Sequence, residues 1–165
     1  MAKTSLKLTS DFENMLEAIK DAGGDANRAA LKTATKCAEV MHDELASECN
    51  ASGVPASVSG AIEHGVNVTS GGNVYEVEAG WEKGDYDPNN PSAAYKAIFL
   101  NYGTPKGPRH VKKATHIPLR GRWVTTANRG QIVGRGFIDR AQKSAKKKIK
   151  KVQKDALHEM LRELT

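Results

Sequence analysis

The 165-residue chain has few cysteines, few aromatic residues and no long apolar run, and each shortage limits what it can be. No stretch of about 18 apolar residues occurs, so a membrane-spanning helix is not expected. The two cysteines, Cys37 and Cys49, fall on one predicted helix about 18 Å apart, too far for a disulfide. They are predicted to be free, half-buried thiols in a reducing compartment. The N-terminus lacks an apolar signal core, so export is not expected either.

Charge is divided unevenly along the chain. Residues 1–100 contain 8 Lys and Arg against 15 Asp and Glu, a net charge of −7; residues 101–165 contain 17 against 4, a net charge of +13. A basic half suits contact with nucleic-acid phosphates. The acidic half of one subunit can equally face the basic half of the next, which favours head-to-tail assembly. For the C-terminal helix alone, a solvated lysine face is an equally good interpretation.

Two helices are predicted in the first 50 residues. The first starts near Ser10, and Gly23-Gly24 interrupts it because glycine does not hold helical dihedral angles well. The second runs from about Asp25 to Asn50. Its predicted apolar seam has helical spacing and consists of Leu31, Ala34, Ala38, Met41, Leu45 and Cys49.

A β-hairpin and a central strand are predicted next. Apolar residues alternate in two runs separated by Ser70-Gly71-Gly72-Asn73, residues that tolerate a tight turn. The inward residues are Ile62, His64, Val66 and Val68 on one strand and Tyr75, Val77, Ala79 and Trp81 on the other. Residues 95–102 are apolar on both alternating faces, which predicts a central strand, although Tyr95, Ile98 and Tyr102 also fit a helical turn.

The remainder is predicted to be a basic segment followed by a long helix. Residues 103–136 are rich in Gly, Pro and Thr, and Ile117-Pro118-Leu119 and Trp123-Val124-Thr125-Thr126 are predicted short strands of a projecting hairpin. A helix is predicted over about 138–164, with lysines mostly outside an apolar stripe. The stripe consists of Ala141, Ala145, Ile149, Val152, Ala156, Met160 and Leu164. The expected fold is one α+β domain over 1–165. Its parts are a helical segment (1–50), a small antiparallel sheet (58–102), a basic arm (103–136) and a C-terminal helix (137–165).

The sequence shows no pattern typical of a catalytic, metal or cofactor site. His110 and His116 have no nearby carboxylate or thiol that would complete a metal site. No glycine-rich run ends in Lys-Ser or Lys-Thr, as a phosphate-binding loop requires, and no nucleophile elbow is visible. We therefore expect a protein that is not an enzyme and that carries no cofactor or metal.

The basic segment is the remaining candidate for a functional site. Trp123 is its one aromatic residue suited to stacking, whereas single-strand binding usually needs several. Contact with phosphates and a grip on a neighbouring subunit's acidic surface fit this segment equally well. Its charged residues are Lys106, Arg109, Lys112, Lys113, Arg120, Arg122, Arg129 and Arg135.

Two short motifs resemble those of one family. An apolar run ends in Tyr102-Gly103-Thr104, and Gly136-Phe137-Ile138, followed by Arg140-Ala141, leads into the last helix; residues 58–62 match a third family segment more weakly. The chain thereby resembles the tail-completion and minor tail proteins of long-tailed bacteriophages, also called head–tail joining proteins. The lambda minor tail protein Z is a distant relative in that family. Gly136 stands where the family usually has proline.

The resemblance implies a structural virion protein of the phage neck or tail. Such a protein forms a homo-oligomeric ring, of which a hexamer is one form, between the head connector and the tail tube. Its expected partners are further copies of itself, adjoining neck or tail-tube proteins and, without sequence preference, passing DNA, but no membrane. Its expected location is the virion, and the host cytoplasm before assembly. The motif residues Tyr102, Gly103, Thr104 and Phe137 are expected to anchor the fold.

Two other functions remain open at this point. One is a small basic protein that binds nucleic acid without sequence preference. The other is a tail terminator ring, which shares the assembly behaviour and differs in the neighbour that it contacts.

Overall fold

Helices at both ends of the chain enclose a small antiparallel sheet in the computed structural model, which describes residues 3–6, 10–68, 75–84, 90–103, 117–119, 122–124 and 132–164. The predicted α+β architecture is thus confirmed. The elements in chain order are β1 (Lys3–Leu6), α1 (Ser10–Asp21), α2 (Ala26–Ala51), α3 (Ala56–Ser59), β2 (Glu63–Val68), β3 (Tyr75–Gly80), α4 (Ala93–Tyr102), β4 (Ile117–Leu119), β5 (Arg122–Val124) and α5 (Phe137–Leu164).

Helix α2 has the limits that the sequence predicts. Its N-cap, Asp25, accepts hydrogen bonds from the amides of Asn27 and Arg28, both at 3.0 Å, which satisfies two amides that lack partners within the helix. Gly23 has φ +81°, which permits the reversal between α1 and α2. Gly53, at φ +65°, follows the other end of α2.

The three-stranded sheet has the order β1-β3-β2, with both pairings antiparallel. Strand β3 lies in the centre and buries Tyr75, Val77 and Ala79. This confirms the predicted inward face of β3. The prediction fails for much of β2, where His64 is exposed and Val68 is 50% exposed, because β2 is an edge strand. Strand β1 was not predicted.

The core lies between the sheet and the helices. In one cluster, alanines and Cys37 of α2 pack with Val77 of β3 and with Ile149 and Leu157 of α5. A second cluster, around Trp81 and Phe137, joins the C-terminal half of α2 to α4 and the start of α5.

The predicted apolar seams of the long helices are confirmed at most positions. On α2 the exception is Leu31, which is 47% exposed. Cys37 and Cys49 are fully buried rather than half-buried, and both are free. On α5, Ala141, Ala145, Ile149 and Ala156 are buried, whereas Leu164 at the last turn is 42% exposed.

Residues 95–102 form a helix, so the predicted central strand is wrong. Alternation cannot distinguish a strand from a buried helix in an apolar run this short. Ala93, Ala94 and Ala97 favour the helix, and the amide of Lys96 bonds to the carbonyl of Ser92 at 3.1 Å in its first turn. The range 58–102, predicted as sheet, therefore contains α3 and α4 as well as β2 and β3.

Candidate assembly site at the base of the basic segment

The two family-like motifs, distant in sequence, meet where α4 ends and α5 begins. Gly103 forms an antiparallel bridge with Val133. The amides of Arg135 and Gly136 donate to the carbonyls of Leu100 and Asn101, at 2.9 and 3.0 Å. Gly103 and Ile132, which flank the basic segment, therefore lie at neighbouring points of the domain. We call this crossing of residues 101–103 with 132–136 the junction.

Glycine is required in both segments of the junction because their backbones lie too close together to leave room for a Cβ atom. A Cβ on Gly103 would lie 2.6 Å from both the amide nitrogen of Gly134 and the carbonyl oxygen of Ile132. A Cβ on Gly134 would lie 2.8 Å from the carbonyl carbon and oxygen of Tyr102. Gly103 also has φ +77° and ψ −169°, a region that is essentially restricted to glycine. Gly103, which was expected to anchor the fold, thus permits the sharp turn of the chain at the end of α4.

Asn101 and Phe137 fix the start of α5 against the rest of the domain. The side-chain oxygen of Asn101, which is 2% exposed, accepts a hydrogen bond of 2.8 Å from the amide of Ile138. Phe137 is fully buried, as predicted, and meets Trp81 edge to face with ring centroids 6.3 Å apart. Trp81 in turn donates through Nε1 to the carbonyl of Val58 at 2.7 Å.

Gly136, which precedes Phe137, has a backbone conformation that proline cannot adopt. Its φ of +60° is inaccessible to proline, whose ring holds φ near −65°. The carbonyl of Gly136 accepts from the amide of Arg140 at 3.3 Å, so Gly136 stands immediately before the first turn of α5. The junction therefore favours glycine at this position.

Two arginines tie the junction to the end of α2. Nη1 of Arg135 donates to the carbonyls of Ser52 and Gly53 at 2.9 and 2.7 Å. Nε of Arg140 donates to the carboxylate of Glu48 at 2.9 Å, and its Nη2 to the hydroxyl of Ser52 at 2.7 Å. Cations suit the C-terminus of a helix, where carbonyls lack partners. Arg135 was predicted to lie in the basic arm, but in the structure it belongs to the domain body.

Three apolar side chains are exposed around the junction: Tyr102 at 65%, Val133 at 74% and Ile132 at 39%. Tyr102 was predicted to anchor the fold, but so exposed a side chain contributes little to the core. Thr104, the remaining motif residue, lies outside the described residues. The predicted arm, 103–136, is also too long, because 132–136 pair with α4 as part of the body.

The predicted hairpin within the basic segment is present. Strands β4 and β5 are antiparallel, with Pro118 opposite Trp123 and Leu119 opposite Arg122. For these strands only the backbone arrangement is described. The other residues predicted for the arm lie outside the described part of the chain; they are Lys106, Arg109, Lys112, Lys113, Arg120 and Arg129.

Helix α5 carries a second basic surface, which we call the lysine face. Its members are exposed, and no described residue forms an ion pair with them. Lys148, outside this set, instead pairs with Glu44 on α2. Hydrogen bonds from Lys148 and Ser144 lower the pKa of Glu44. The lysine face consists of Lys143, Lys146, Lys147, Lys150, Lys151 and Lys154.

Histidines and cysteines in the described ranges do not gather into a larger site. The rings of His42 and His64 lie 5.0 Å apart between centroids and are tilted by 55°, and Nδ1 of His42 lies 3.2 Å from Oδ1 of Asp43. His64 was predicted to lie on the inward face of the hairpin, and in the structure it is exposed on β2. The described residues contain no group of three or more potential metal ligands. Burial raises the pKa of both Cys37 and Cys49 to about 11.

Comparisons with family models, with curated proteins and with solved structures find no match to this chain. Among the helices that the structure describes, none is long and apolar enough to cross a membrane.

Proposed function

We propose that the chain is a structural virion protein of a phage neck or tail, which acts by assembling into a homo-oligomeric ring. The observation that carries this proposal is the junction. Tyr102-Gly103 and Gly136-Phe137-Ile138, the motifs on which the family resemblance rests, form one unit held by the Gly103–Val133 bridge and by the hydrogen bond from Ile138 to Asn101. A resemblance carried by two segments that need each other structurally is stronger than two separate short matches.

The junction also suits a role in subunit contact. The basic segment starts and ends at one place on the domain, beside exposed Tyr102 and Val133. A segment held at both ends in this way can contact a neighbouring ring or subunit without rearrangement of the core. The adjoining partners would be other neck or tail-tube proteins. A tail terminator would use the same contacts with a different neighbour.

Light scattering coupled to size exclusion, on nucleic-acid-free protein at two salt concentrations, tests ring formation. We expect one discrete multiple of the 17.8 kDa chain mass, or a monomer that converts to it as concentration rises. A protein that stays monomeric at every concentration, and changes mass only when DNA is added, would contradict the proposal.

A deletion tests the role of the basic segment. Removing residues 104–131 and joining Gly103 to Ile132 through two glycines retains the bridge to Val133, whereas a cut over 106–133 would remove it. We expect a folded domain by circular dichroism that no longer forms rings. The control keeps the segment length and replaces its basic residues by glutamine, which separates loss of charge from loss of chain. Normal rings and functional particles from the deletion variant would contradict this role.

Sequence-independent nucleic-acid binding is the second candidate, and the lysine face favours it. Six exposed lysines on one side of a helix, without described ion-pair partners, suit a phosphate backbone. If six or more phosphates are contacted, affinity for a DNA duplex should fall roughly a thousandfold or more between about 50 and 200 mM salt. Fluorescence anisotropy with a labelled duplex measures this; affinity that does not depend on salt would contradict it.

A further inference from the structure

The side of the sheet that faces away from the helices is acidic, and we call it the outer sheet face. Strand alternation places Glu76 and Glu78 of β3 on this face, with Glu63 and Asn67 of β2 beside them and the register positions of Lys3 and Ser5 of β1 on the other flank. Its β2 members are exposed, and the two glutamates of β3 are half-buried. A groove of about 420 Å³ is lined by Glu63, Asn67 and Glu78 of this face, and Glu82 and Lys83 also line it. None of the described helices packs against it, because α2 packs on the opposite side, where Val77 is buried.

The lysine face lies on the other side of the same core. Ala145 and Ile149 of α5 turn toward the cluster that contains Val77 of the sheet. At 100° per residue the six lysines occupy a sector of about 140°, centred roughly opposite these buried positions. An acidic surface and a basic surface therefore lie on different sides of one domain.

The two surfaces match in length as well as in sign. Lys143 and Lys154 are eleven residues apart, about 16 Å along a helix. From Glu76 to Glu82 the chain advances six residues, about 20 Å if it remains extended. No described residue forms an ion pair with Glu63, Glu76 or Glu82, so the charges of these three carboxylates and of the lysine face are available to an outside partner.

We propose that the lysine face of one copy docks on the outer sheet face of the next. This rests on the proposed ring and names its contact. A second copy is favoured over nucleic acid as occupant because it uses both surfaces, whereas DNA would be repelled by the glutamates and would use the lysines alone. Contact between two different surfaces is heterologous, and it closes into a ring when the rotation between neighbours divides a full turn.

Reversing the charges on each surface separately, and then on both surfaces together, tests this contact. One variant carries Glu63→Lys and Glu76→Lys, a second carries Lys147→Glu and Lys150→Glu, and a third combines all four changes. Each of the first two should weaken self-association about tenfold or more, because attraction becomes repulsion at two positions. The combined variant should recover to within about threefold of the wild type, and mixing the first two should produce mixed assemblies.

The control for the first variant is Glu17→Lys with Glu39→Lys, which makes the same change in net charge at exposed positions outside both surfaces. Association is measured by light scattering and sedimentation, with circular dichroism to establish that each variant folds. If one single-surface variant is poorly folded, the other, which changes the opposite surface of the same contact, still tests the proposal.

The outcomes separate this contact from the proposed function. If the wild type forms rings and neither pair of charge reversals weakens them, the proposed contact is wrong, but the proposed ring is unaffected. If both single-surface variants are folded and the combined variant still does not recover self-association, the proposed contact is also wrong. A wild-type protein that never self-associates, and whose DNA binding is lost with Lys147→Glu and Lys150→Glu, would overturn the contact and the ring together.

Discussion

Replacing Gly103 by alanine tests whether the junction is as closely packed and as strained as its geometry indicates. The new methyl group would lie 2.6 Å from two backbone atoms of the opposing segment, which cannot move away as a flexible side chain could. The positive φ adds a conformational cost of about 1–3 kcal/mol, and overpacking adds about 1–3 kcal/mol. We therefore expect Gly103→Ala to lower the free energy of unfolding by about 2–6 kcal/mol in urea titrations.

Three other glycines separate the two costs. Gly23 has φ +81°, and no atom lies within 4 Å of the position that a methyl group would take there, so Gly23→Ala isolates the dihedral cost, about 1–2 kcal/mol. A Cβ on Gly134 would lie 2.8 Å from backbone atoms of Tyr102, but the φ of Gly134 does not lie between +20° and +160°. Gly134→Ala therefore isolates the overpacking cost. Gly65 has neither feature and should tolerate alanine within about 0.5 kcal/mol. If Gly103→Ala proves no more destabilising than Gly65→Ala, the account of the junction is wrong.

Three further changes probe individual groups. Asn101→Leu should cost about 1–3 kcal/mol in urea titrations, because it leaves a buried amide of α5 without its acceptor; unchanged stability would contradict that role. The pKa of Glu44 is lowered, so its contribution to stability is present above the unfolded pKa and lost as pH falls through the folded one. Glu44→Gln should therefore flatten the acid side of the stability–pH curve, and an unaltered slope would count against the pairing. With pKa values near 11, the thiols of Cys37 and Cys49 should react with a chromogenic disulfide at least about a hundredfold more slowly in native than in unfolded protein; similar rates would show that they are accessible.

The helices that the sequence predicts best are those with local signals at both ends. Gly23-Gly24 and Ser52-Gly53 limit α2, and between them the apolar residues recur at helical spacing over many turns. Such signals do not depend on the rest of the fold. By contrast, β1 has four residues, and its place in the sheet depends on pairing with β3 about 75 residues later, which no local pattern reveals.

The junction was predicted only in part, for a related reason. Gly103, Gly136 and Phe137 stand in the sequence motifs whereas Gly134 does not, and their meeting depends on the path of the chain between Gly103 and Ile132. Asn101 was missed, although a lone amide within the apolar run 97–102 is a signal, because a buried polar side chain needs a partner. Its partner, the start of α5, can be identified only in three dimensions.

Some of the charges in the acidic and basic parts of the sequence form ion pairs with each other within the domain. Glu44 and Glu48, from the acidic half of the chain, pair with Lys148 and Arg140, from the basic half. These contacts hold α5 and the junction on α2, so the net charges of the two halves overstate what a partner meets. The lysine face and, on the outer sheet face, Glu63, Glu76 and Glu82 are among the charges that remain for a partner in the described residues. Neutralising these surfaces should therefore alter association while leaving the fold intact, whereas neutralising Glu44 or Glu48 should act first on stability.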